Sequence, residues 1–168
     1  MNPADTLTFS VEKEHNRIRI QREYAAPRQL VWAAWTTADL LDQWWAPAPW
    51  RSHTKSMDFT EGGSRIYAMR GPGGEVHWGR TDYESIHPQE SFSGQDGFSD
   101  ENGELNSDLP QSSWVNTFTE RGESNTLLTV ETTYPSARDL EATLEMGFRE
   151  GFTACLDQLE ALLKESYR

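Results

Sequence analysis

The chain has a single cysteine, Cys155, in 168 residues. An internal disulfide framework is therefore excluded, a Cys-based zinc site lacks its ligands, and a reducing compartment is the natural setting. Positive charge is scarce as well. Fifteen Lys and Arg stand against 27 Asp and Glu, a formal charge of -12, so the surface repels phosphate backbones and anionic lipid. Neither nucleic acid nor a membrane is expected as a partner. No apolar run approaches the ~20 residues that span a bilayer. The opening MNPADTLTFSVEKEHNR has neither a basic start nor an apolar stretch, so a cytoplasmic protein is expected.

Motifs for common chemistries are missing too. His15, His53, His77 and His87 form no i, i+4 pair, and no metal or other cofactor is expected. No G-x-S-x-G is present, and Cys155 falls among apolar helix residues, where cysteine is an inert small hydrophobe. The stretch 96–110, DGFSDENGELNSDLP, holds five acids and no base. It fails as a calcium loop, because with Gly103 as the EF-hand glycine, Phe98 and Leu109 take the first and last ligand positions. It reads as a long solvated loop.

Aromatic residues are plentiful by contrast: 7 Trp, 7 Phe and 5 Tyr, with Trp32, Trp35, Trp44 and Trp45 close together. Rings of this size either fill a core or line a pocket. Residues 16–24, NRIRIQREY, alternate Ile18 and Ile20 with Arg17, Arg19 and Gln21, the period-two pattern of a strand wet on one side. Pro27 then opens a helical stretch over 28–35, and Thr37 caps a second over 38–45. Ala46-Pro47-Ala48-Pro49 ends it. Strand-like runs follow at 51–59, 64–70, 75–86, 90–96, 112–120 and 125–134, separated by Gly- and Pro-rich turns, which is the spacing of an antiparallel meander. Over 136–163, Leu144, Phe148, Phe152, Leu156, Leu159 and Leu163 keep a helical period, predicting one long amphipathic helix whose apolar face needs a sheet to cover.

The pieces Tyr24-x-Ala26-Pro27-x-x-x-Val31-Trp32-x-Ala34-Trp35, Leu41-x-x-Trp44-Trp45-x-Pro47, Gly62-Gly63, Met69-Arg70-Gly71-Pro72-x-Gly74 and Gly147-Phe148-x-x-Gly151-Phe152 occur in that order. In this combination the chain resembles the homologues of the heat-shock protein 90 ATPase activator, within the START-like helix-grip superfamily, over about residues 16–163. The resemblance implies an α+β fold: a curved antiparallel sheet of six to seven strands around a long C-terminal helix, with two short helices after the first strand and a cavity between helix and sheet. Residues 1–15 are expected to be an N-terminal extension and 16–168 a single domain.

The expected function is binding of a hydrophobic or aromatic small molecule in that cavity, without catalysis. A protein-interaction module similar to the co-chaperone, with a chaperone as partner, is one alternative; a cyclase- or hydrolase-like enzyme using His77 and Tyr83 as an acid-base pair is another. A monomer and a homodimer are equally compatible. The candidate ligand-binding residues are Trp45, His53, Met57, Arg65, Tyr67, Met69, His77, Tyr83, Glu145 and Phe148. Strand alternation puts Arg65, Tyr67 and Met69 on one face, and His77, Gly79, Thr81 and Tyr83 on one face of the next strand, either bordering the cavity or reaching its rim. Family members usually carry bulky apolar residues where Arg65 stands, which points away from a purely apolar ligand. Trp32 and Trp35 read as core, whereas Trp45 resembles the ring at the cavity mouth. Counted along a continuous helix, Glu145 lies near the stripe of Phe152 and either pairs with Arg65 or faces solvent.

Overall fold

Alternation along residues 17–24 buries Ile18, Ile20, Arg22 and Tyr24 on one side of a strand, and the later stretches 65–67, 79–83 and 114–118 follow the same logic. The computed structural model describes residues 7–166. In chain order the elements are β1 (Thr8–Glu12), a 3-10 turn (Lys13–His15), β2 (Arg17–Tyr24), α1 (Arg28–Thr36), α2 (Ala38–Leu41), β3 (Arg51–Met57), β4 (Ser64–Arg70), β5 (Val76–His87), β6 (Ser91–Ser99), β7 (Ser112–Arg121), β8 (Asn125–Thr133), α3 (Ala137–Glu145) and α4 (Phe148–Ser166). The eight strands form one sheet in the order β1-β2-β8-β7-β6-β5-β4-β3, with every pairing antiparallel.

The strand count exceeds the expected six to seven because residues 8–12, inside the expected extension, add β1 along the edge of β2. Their alternation was too short and too polar to stand out, since Phe9 and Val11 are only half-buried. β6 also runs on to Ser99, taking Asp96 and Phe98 out of the expected loop.

The C-terminal segment holds two helices rather than one. Gly147 has φ +88, and its N–H donates to the Leu144 carbonyl at 3.1 Å, closing α3 in the left-handed manner that glycine adopts without steric cost. The Gly151 N–H then bonds the Gly147 carbonyl at 2.9 Å and opens α4. Apolar periodicity reads through the break because both helices belong to the same covering layer.

Two devices hold α4 to the sheet. Cys155, Leu156, Leu159 and Leu163 are buried in the core with Ile18, Ile20, Leu128 and Val130. Arg22, itself buried on β2, reaches Asp157 at 2.6 Å and Glu160 at 2.8 Å, while the Tyr24 hydroxyl donates to the Leu156 carbonyl at 3.1 Å. The middle and C-terminal half of α4 is thereby pinned. Its first turns, bearing Phe148 and Phe152, lie over the strands that line the cavity described next. At the other end of the core, Trp35 packs edge-on against Trp44 (4.7 Å between centroids) and Trp45 (5.7 Å), and Trp32 against Phe59, Phe92 and Phe118.

Candidate functional site

Sheet register assembles the site. Arg65 on β4 stands opposite Thr81 on β5, Thr81 opposite Asp96 on β6, and Asp96 opposite Ser112 on β7. Four residues far apart in sequence thus make one row across the concave face, each step ~4.8 Å. A parallel row places Tyr67 opposite Gly79 and Gly79 opposite Phe98. The second row explains Gly79: a methyl there would lie 2.6 Å from the Tyr67 ring, so only glycine lets that ring lie flat over β5.

Between these rows and the covering helices lies a hollow with two chambers. The outer one, of about 290 Å³, is bordered by Tyr67, Met69, His77, Trp78, Gly79 and Phe98 from the sheet and by Met146, Phe148, Gly151, Phe152 and Cys155 from the helices. The inner one, of about 110 Å³, is bordered by Trp35, Arg65, Thr81, Tyr83, Phe92, Trp114, Asn116, Val130 and Thr132. Trp45, Asp96, Ser112, Tyr134, Phe148 and Phe152 border both chambers and form the waist between them. Together the chambers sit at the lower end of the ~300–1,000 Å³ typical of small-molecule sites.

Arg65 is the most constrained polar group here. It is 2% exposed, and its Nη2 donates to Asp42 at 3.3 Å and to the Ser52 hydroxyl at 3.0 Å, while Nε donates to the Thr54 hydroxyl at 3.1 Å. Its guanidinium lies 4.1 Å from the Tyr67 ring centroid and 5.8 Å from that of Trp45. Asp42, just past α2, collects further bonds from the Ser52 hydroxyl (2.9 Å), the Thr54 N–H (3.0 Å) and the Thr54 hydroxyl (2.8 Å). The countercharge to Arg65 is therefore Asp42.

Asp96 is the second charged group of the hollow. Burial pushes its carboxyl above the ordinary carboxylate range; the Thr81 hydroxyl, donating at 2.7 Å, and the nearby Trp114 indole and Arg65 charge act against that rise. The Trp114 N–H faces it, and the Trp45 N–H faces the Tyr67 hydroxyl, without completing a hydrogen bond of normal geometry, and the buried Trp35 N–H has no partner among the described residues. Burial also raises the phenols of Tyr67 (to about 12), Tyr83 and Tyr134, and the Cys155 thiol to about 12, so near neutrality these groups are un-ionised. The Cys155 thiol donates to the Trp45 carbonyl at 3.1 Å.

Of the residues anticipated from sequence, Trp45, Arg65, Tyr67, Met69, His77, Tyr83 and Phe148 border the hollow. His77 lies at the rim, exposed and stacked on Trp50 at 5.4 Å. Three others lie elsewhere. His53 is exposed on β3, because its neighbours Ser52 and Thr54 turn the other way to bond Asp42. Met57, beyond the irregularity between Thr54 and Ser56, packs on the main core instead of lining the hollow. Glu145 is exposed and does not pair with Arg65: the break at Gly147 resets the helical phase on which that pairing depended. His77 borders the outer chamber and Tyr83 the inner one, so they do not form an acid-base pair.

Sequence reasoning missed Asp96, Trp114, Asn116 and Tyr134. Parity along β6, where Phe92, Gly94, Asp96 and Phe98 share a face, was the available signal for the first of these. Among the described residues no group of three His, Cys, Asp or Glu could hold a metal ion, and no helix is long and apolar enough to cross a membrane.

Comparison with known proteins agrees with this architecture. No curated protein matches the chain. Among solved structures, protein Ms6760 from Mycobacterium smegmatis is 34% identical with a TM-score of 0.86, covering 94% of this chain and 96% of its own. A protein from Arthrobacter aurescens is 29% identical with a TM-score of 0.88, over 94% of this chain and 91% of its own. CalU16 from Micromonospora echinospora, at 21% identity and a TM-score of 0.61, shares the fold. With residues 25–164 matching the family described as Activator of Hsp90 ATPase homolog 1-like protein, and with a curved sheet closed over by a C-terminal helix, the chain belongs to that family and has its helix-grip fold.

Proposed function

We propose that the protein binds a hydrophobic or aromatic small molecule between its sheet and its C-terminal helices, holding it by at least one polar group and without catalysing a reaction on it. The observation that supports this reading is a hollow that aromatic rings border but do not fill, with two chambers of about 290 and 110 Å³ meeting at Asp96 and Trp45. Its walls are mostly apolar and its few polar groups converge at one place, the usual composition of a small-molecule site. The test is a titration of the full chain with uncharged aromatic compounds, read by tryptophan fluorescence and by melting temperature. Trp45 lies in the wall and should be quenched on occupancy. Gly151→Leu projects a side chain from α4 beside Pro47 into the outer chamber; it should leave the fold intact and abolish both responses. Binding that survives this substitution unchanged would count against the site.

The family description favours a second reading, stimulation of a chaperone ATPase through an acidic surface, since the chain carries a formal charge of -12. A salt-sensitive rise in Hsp90 ATPase rate on mixing would support it.

A further inference from the structure

The inner chamber contains more hydrogen-bond donors than the protein itself satisfies. Asn116, 4% exposed and pointing inward between Trp114 and Phe118 on β7, makes no side-chain hydrogen bond among the described residues. Arg65 spends Nε and Nη2 on Thr54, Ser52 and Asp42, which leaves its Nη1 without a partner among the described residues. Leaving such groups dry costs free energy that a matching acceptor recovers. The residue types also set the charge of that acceptor. The guanidinium is already balanced by Asp42, and Asp96 stands at the waist, so an entering anion would meet a second carboxyl without a free countercharge.

Resting on the small-molecule reading above, we propose that the inner chamber is a subsite for a neutral carbonyl oxygen: the ligand is a flat aromatic ketone, aldehyde or amide that enters carbonyl first. Asn116 and the Nη1 of Arg65 supply donors to the oxygen. The ring system stays in the outer chamber between Phe148 and Phe152 on one side and Tyr67 over Gly79 on the other. Trp45 and Asp96, which border both chambers, lie between the two ends.

Three naphthalenes of nearly equal shape test this by calorimetry on the full chain: 2-acetylnaphthalene, its oxygen-free isostere 2-isopropenylnaphthalene, and 2-naphthoate. The ketone is expected to bind about tenfold more tightly than the alkene, the equivalent of one or two net hydrogen bonds, and also more tightly than the carboxylate. Asn116→Leu should reduce the ketone-to-alkene ratio to about threefold or less while leaving alkene affinity unchanged. Asn116→Val, which removes the amide and suits a strand position, should act in the same direction and serves if Asn116→Leu does not fold. Equal affinity for ketone and alkene, or tightest binding by naphthoate, would overturn the carbonyl subsite and leave the small-molecule reading standing. No binding by any of the three, with an unchanged melting temperature, would overturn both.

Discussion

Asp42→Asn is the sharpest probe of how the polar part of the cavity wall is held. The substitution keeps size and shape but removes the only carboxylate among the described residues that bonds Arg65, a guanidinium with 2% exposure. It also weakens the acceptor that serves Ser52 and the Thr54 N–H. Breaking a buried ion pair from one side typically costs about 3–5 kcal/mol, because the remaining charge is left buried without compensation. Asp42 keeps a quarter of its side chain in solvent, so water can reach the pair and the lower end applies, about 3 kcal/mol. In a domain of this size that corresponds to a fall in melting temperature of about 6–12 °C. Adding Arg65→Met to Asp42→Asn should restore most of the loss, since the stranded charge goes with it. Urea denaturation of the wild type, both single variants and the double variant closes the cycle. A loss below 1 kcal/mol for Asp42→Asn, or a double variant whose loss equals the sum of the singles, would refute the claim that Arg65 depends on Asp42.

Asp96 gives a prediction in pH. Burial raises its folded-state carboxyl above the ordinary value, so between those two values the native state binds more protons than the unfolded one. Stability contributed by this residue therefore falls as pH rises through that window. Asp96→Asn should stabilise the protein near pH 7, and the gain should vanish on acidification below the ordinary carboxylate range; a gain that persists there, measured by denaturation at several pH values, contradicts the assignment. The two helix glycines should respond oppositely to alanine. Gly147→Ala forces a side chain into φ +88 and should cost about 1–2 kcal/mol, whereas at Gly151 a new Cβ meets only Pro47 at 3.9 Å and alanine should stabilise by about 0.5–1 kcal/mol. Thermal melts of both variants check the signs. Gly79→Ala places a methyl 2.6 Å from the Tyr67 ring and should cost about 1–3 kcal/mol while moving a wall of the outer chamber, visible as a changed affinity for the bound aromatic.

Much of this arrangement is legible along the chain because burial imposes a period. Two-residue alternation placed Ile18 and Ile20, Arg65 and Tyr67, and Thr81 and Tyr83 on their faces, and helical spacing marked Leu156, Leu159 and Leu163 as core. The short strand at residues 8–12 was not legible, since an edge strand half in solvent alternates weakly. Nor was Asp96. It opens an acidic, glycine-containing stretch that reads as loop, and only its pairing with Thr81 and Ser112 keeps it in the sheet.

Local pattern alone settled which faces are apolar, where the turns fall and that a terminal amphipathic segment must cover a sheet, because each of these depends on neighbours within a few residues. Which polar groups meet was decided by tertiary structure. The partner of Arg65 is Asp42, 23 residues away in sequence, and not Glu145, because a single left-handed residue at Gly147 resets the helix phase that would have aligned them. Cross-strand register then places Arg65, Thr81, Asp96 and Ser112 in one row, and register depends on long-range pairing that no short stretch of chain specifies.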